Sequence, residues 1–145
     1  MKLKLKQWWY IAPTYLTLWS VVFSLWSLSD GSNMMKAFGV DIGDPSPFIM
    51  LNSAARYVAI ASGMIVGIWM FRTFSSIMTA LIIRLTMDIL DLYAGLTSGL
   101  IDHPIGIIQS MLMFILPNLF AIASLIQLKK TMESRSRQTS PSLME

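Results

Sequence analysis

Four long runs of apolar residues, separated by short polar stretches, set the plan of this chain. They cover about residues 8–28, 48–71, 77–99 and 105–128. Each is long enough to span, because a helix needs about 20 residues to cross ~30 Å of hydrocarbon. The pattern predicts an all-α fold, a four-helix transmembrane bundle. Residues 1–130 then form one four-span membrane domain, and 131–145 form a polar, disordered cytoplasmic tail.

The stretches between the runs carry their own signals. Lys2, Lys4 and Lys6 precede Trp8, Trp9 and Tyr10, and such amphipathic rings favour the headgroup layer. The first run exceeds the roughly 7–15 apolar residues of a cleavable signal. It is therefore read as a retained span, mainly an anchor. Residues 29–47 form the longest loop, in which Asp44-Pro45-Ser46-Pro47 reads as a turn delivering a capped helix start. Met34, Met35, Phe38 and Val40 within it form either one interfacial helical turn or an ordinary loop tucked against the bundle. Thr73-Phe74-Ser75-Ser76 is a tight link that forces antiparallel neighbours. Asp102 is read as the cap of the fourth helix.

Charge fixes an expected orientation. Lys2, Lys4, Lys6, Arg72, Lys129, Lys130, Arg135 and Arg137 fall on one side, whereas the other side has Lys36 with Asp30, Asp41, Asp44, Asp102 and His103. By the positive-inside rule both termini are cytoplasmic, in the cytoplasmic (inner) membrane of a bacterium. The 145 residues are 54% hydrophobic and 13% charged, against about a quarter charged in soluble domains. The net charge of +3 sits at membrane edges, a pattern that argues against nucleic acid. With no cysteine and one histidine, thiol chemistry, iron–sulfur clusters and bis-histidine haem are excluded. Asp41 to Asp44 and Asp102-His103 match no metal-ligand spacing, and the twelve methionines are read as flexible apolar packing rather than copper ligands. No nucleophile–base pair is visible either, so an enzyme is not the leading reading.

The informative residues are charges inside the spans: Arg56 in the second, and Arg84, Asp88 and Asp91 in the third. At 100° per residue the last three share one face with Gly95, and Asp88 lies one turn from Arg84. Arg56 and Asp91 sit at similar depth, roughly 4–5 Å to the outer side of their helix midpoints, and are expected to pair. Arg56 borders a stripe of small residues, Ala55, Ala59, Gly63 and Gly67, which suits close helix packing. Asn118, beside Pro117 in the fourth span, completes a candidate polar centre of Arg56, Arg84, Asp88, Asp91 and Asn118. Gln109, Ser110, Asn52, Ser53 and Tyr57 are candidates to line its outer approach. Three uses of the centre stand side by side: glue between helices, a site for a small amphiphile or lipid head group, or a proton or ion pathway.

Asn52-Ser53-Ala54-Ala55-Arg56, then Gly63 and Gly67, the basic link at Arg72, and Arg84 with Asp88 resemble the DoxX-like group of small four-helix membrane proteins. The resemblance covers about residues 52–99 and implies a four-helix membrane fold; some members of that group are associated with quinone-linked oxidoreductases. Asp91 has no counterpart in that pattern, and no cofactor motif accompanies it. The sequence reading is thus a non-enzymatic membrane module that binds a small amphiphile, such as lipid or quinone, or a partner subunit or second copy. An accessory subunit of a quinone-linked oxidoreductase and a proton-coupled small-solute carrier are the alternatives.

Overall fold

The computed structural model describes residues 5–37, 46–97 and 104–138, all helical or in the short links between helices. A 3₁₀ turn, Gln7–Tyr10, leads into α1 (Ile11–Ala37). Pro13 sits in the first turn of α1, where its missing N–H removes no helical bond. At Asp30 the backbone leaves helical geometry, and the Asp30 carboxylate accepts from the Asn33 N–H and side-chain amide, capping the second part of the helix. The chain therefore stays helical to Ala37, past the expected loop start at 29, and Met34 is buried in the core. Phe38, Val40, Asp41, Asp44, Asp102 and His103 lie outside the described residues.

Helix α2 (Pro47–Ile65) starts as its sequence predicts, with Pro47 in the first turn and the Ser46 hydroxyl accepting from the Ile49 N–H. It runs on through a π-helical turn, Val66–Phe71, and stops where Arg72 adopts the left-handed conformation (φ 54°). Helix α3 (Phe74–Thr97) follows at once. Its cap is reciprocal: Thr73 Oγ1 accepts from the Ser76 N–H, while Ser76 Oγ accepts from the Thr73 N–H. This is a capping box with serine in the place usually held by glutamate or glutamine. Ser76 Oγ also donates to the carbonyl of Gly67 across the link, at 3.1 Å.

Helix α4 (Pro104–Ser110), a π-helical turn (Met111–Ile115) and α5 (Leu116–Gln138) form one unbroken rod. Pro117 lies two residues past the end of the π turn, so the bond its ring cannot donate, to the carbonyl four residues back, falls where the helical ladder is already widened. The rod continues to Gln138, so residues 131–138 of the expected tail are helical. Gln127, Lys129, Lys130, Met132 and Glu133 are good helix formers, and Lys129 pairs with Glu133 one turn on.

The described helices make an all-α structure in which α1 packs along α2 and α3 packs against α5. Three rods are long and apolar enough to cross a membrane: Gln7–Asp30, Pro47–Phe71 and Gly106–Ser134. The remaining long helix, α3, has the length, at 24 residues, but carries Arg84, Asp88 and Asp91 from its midpoint onward. Large apolar side chains such as Ile11, Leu25, Phe48, Leu51 and Phe120 stand on the outside. A soluble protein rarely exposes so much contiguous apolar surface, whereas lipid favours it.

Candidate functional site

Arg84 lies close to the midpoint of α3 and is 1% exposed. Its Nε donates to Asp88 Oδ2 at 2.9 Å, one turn along the same helix. Its Nη1 donates to the Ser20 hydroxyl on α1. Ser20 Oγ in turn donates to the Leu16 carbonyl at 3.0 Å. With its proton occupied there, the hydroxyl presents lone pairs to the guanidinium. The flat face of the same group lies over the Phe114 ring, 5.7 Å from its centroid. One side chain thus joins three rods through three different contacts, a task that suits a planar, delocalised cation.

The surroundings of Arg84 are aromatic. Phe23 stands 5.5 Å from Phe114 and 5.3 Å from Tyr57, and Trp19 stands 5.2 Å from Phe23, all centroid to centroid. The sequence reading gives this centre a polar outer approach. Of its candidate lining, Asn52 is exposed, and Ser53, Tyr57, Gln109 and Ser110 are half-buried. Asn118 is fully buried one turn from Phe114, and no hydrogen bond reaches its Nδ2 or Oδ1. The described residues join Asn118 to neither Arg84 nor Asp88.

Arg56 and Asp91 form a second pair, separate from the first. Arg56 Nη2 lies 3.0 Å from both carboxylate oxygens of Asp91, linking α2 to α3. Asp91 is seven residues beyond Arg84 on α3, a rise of ~10 Å, and no hydrogen bond connects the pairs. The contrast in burial is large. Arg56 and Asp91 side chains are 41% and 34% exposed, against 1% and 10% for Arg84 and Asp88.

The stripe of small residues divides in the same way. A Cβ on Gly67 would meet the Ser76 carbonyl oxygen at 2.8 Å and Ala80 Cβ at 3.0 Å, so α2 and α3 touch there. Ala55, Ala59 and Gly63 instead face outward, and a Cβ on Gly63 would meet nothing within 4 Å. Close packing inside the bundle uses Ala54 and Ala61 of α2, with Thr17, Ser20, Ser24 and Ser27 of α1. Of the stripe that the sequence gives to close helix packing, the Gly67 end packs within the chain.

No family model matches the chain, and no curated protein or solved structure does. The DoxX-like resemblance consequently rests on its motif residues alone. The described residues contain no group of three or more His, Asp or Glu placed to hold a metal ion.

Sequence reasoning missed Ser20 and Phe114, the two residues that carry Arg84 to other helices. A signal for Ser20 was present. Thr17, Ser20, Ser24 and Ser27 recur every three or four positions, which places four hydroxyls on one face of an otherwise apolar helix.

Proposed function

We propose that this chain is a four-span membrane module, with both termini in the cytoplasm, that works by associating with another membrane subunit through the α2–α3 face. The observation that carries this reading is the half-exposed Arg56–Asp91 pair. Arg56 lies three residues from the centre of Pro47–Phe71, hence only ~4–5 Å from mid-membrane. A charged pair left against hydrocarbon at that depth costs several kcal/mol, so such groups face protein or water. A partner that covers the pair removes this cost.

α3 is proposed as the remaining span on related grounds. Its inner charges are already served by protein: Arg84 by Asp88, Ser20 and Phe114. Among the described charges of α3, Asp91 with its partner Arg56 is the pair left half-exposed. The Arg84 centre itself is best read as a joint that fixes α1, α3 and the fourth rod. Its walls are aromatic rings, with Phe114 against Arg84 and Phe23 and Trp19 behind it. The resemblance to the DoxX-like group would place the partner among quinone-linked oxidoreductases.

Native mass spectrometry of the chain released from lipid nanodiscs tests association. The wild type is expected above the 16.3 kDa of the monomer, and Arg56→Leu is expected to shift it to monomer. A wild type that is monomeric throughout would refute the assignment.

A further inference from the structure

The exposed α2–α3 face bears both signs of charge side by side, and this property narrows what can cover it. A foreign subunit would need its own anion and cation at matching depth and spacing. A second copy brings both without any further requirement. Under two-fold symmetry the face is self-complementary, because Asp91 of each copy is offered to Arg56 of the other. The geometry leaves room for this. Arg56 meets Asp91 through Nη2 and lies over the Tyr57 ring, 5.5 Å from its centroid; with five N–H donors the guanidinium can still take a second carboxylate. Two cations and two anions then form a neutral four-membered cluster removed from lipid.

The backbone beside the pair is open to close approach. Ala55, Ala59 and Gly63 fall within about 100° of arc from Arg56, at ~100° per residue, and all three are exposed. Small residues at this four-residue spacing let two helices cross with their backbones near contact. Towards the α2–α3 link the same edge widens into a side-opening groove of about 620 Å³, lined by Gly63, Gly67, Ser76, Ala80 and Ile83 among others. Large side chains flanking the small-residue track on the other copy have space there.

We propose that the occupant of this face is a second copy of the chain, docked α2 to α2 about a two-fold axis, with Arg56 and Asp91 paired across the interface. The proposal rests on the association reading above and gives it a partner.

The chain has no cysteine, so single cysteines report contacts cleanly. A59C in liposomes, oxidised with copper phenanthroline, is expected to give an adduct of twice the 16.3 kDa monomer. L18C and F120C, on other exposed faces, are expected to give little. Charge reversal then tests the pairing. In the A59C background, R56D alone makes the face doubly anionic and D91R alone makes it doubly cationic, and each is expected to lower the adduct about tenfold. Differently tagged R56D and D91R chains, expressed together, are expected to restore a mixed adduct to near the wild-type yield. Equal adducts at Leu18 or Phe120, or a mixed adduct no stronger than either reversal alone, would overturn the proposal. An A59C adduct of another mass would overturn the second copy while leaving association with a different subunit standing. No adduct from a chain that is also monomeric in nanodiscs would end both. Should the reversals fail to fold, the wild-type-charge A59C comparison decides by itself.

Discussion

Two arginine–aspartate pairs draw on the same two turns of α3, residues 84 to 91, and they have opposite surroundings. Arg84 and Asp88 belong to one helix and are enclosed by α1, the Phe114 ring and the aromatic cluster. Arg56 and Asp91 belong to two helices and look outward. The first pair has every reason to be where it is within one chain, since the guanidinium engages a carboxylate, a hydroxyl and a ring. The second has the distance of a good ion pair but only half the cover. Burial, rather than the identity of the residues, separates a joint from an edge. An i,i+4 pair is local and forms whenever α3 forms, whereas a pair between helices marks which surfaces have come together.

The largest expected effect comes from leaving one buried charge alone. Arg84→Leu strands Asp88 among apolar neighbours and should destabilise the chain by ~3–5 kcal/mol in denaturant titrations in detergent micelles. The double change Arg84→Leu with Asp88→Leu removes both charges, and most of that loss should return. If the double variant is as unstable as the single one, the hydrogen bonds to α1 and the contact with Phe114 matter more than charge pairing. A smaller effect follows from Ser20→Ala, which leaves the ion pair intact but removes the hydrogen bond from Arg84 to α1. A hydrogen bond to a charged group contributes ~1.5–3 kcal/mol, so the same titration should read a loss in that range. No measurable loss would mean that α1 is held by packing alone and that the joint connects two rods rather than three.

Much of this arrangement is legible in the sequence because helical geometry makes it so. The spacing of Arg84 and Asp88 fixes their contact, and equal depth brings Arg56 to Asp91. Ser46 and Pro47 announce the start of α2 through their capping chemistry. What escaped was lateral and long-range. Small residues at Ala55, Ala59 and Gly63 show that something can approach closely, but periodicity does not say whether that is a neighbour in the chain or outside it. The first run read as a mere anchor because serines weigh little in hydropathy, yet Ser20 is the acceptor for Arg84. The rotation of one helix about its axis relative to another decides that contact, and a single run does not encode it. The π turns and the Asp30 break shift that rotation further, and their causes are spread over several side chains. The helix beyond residue 130 was obscured by its polarity: a polar segment reads as a tail, although its residues favour helix and Glu133 answers Lys129.

The smallest effect should come from the outward pair, and it is the one that decides whether the contrast is real. Arg56→Leu combined with Asp91→Leu removes an ion pair whose side chains are about a third exposed or more. Exposed pairs contribute ~0–1 kcal/mol, because their attraction is screened and two long side chains must be held in place. Unfolding measured on the monomer in mild detergent should therefore change by less than ~1 kcal/mol, although association in a bilayer should be lost. A loss comparable to that of Arg84→Leu would show that Arg56–Asp91 also fixes the fold of the single chain, and the distinction between joint and edge would fail. A negligible loss in the monomer together with a vanished dimer would locate the work of this pair between chains, at an edge where charge near mid-membrane meets the outside.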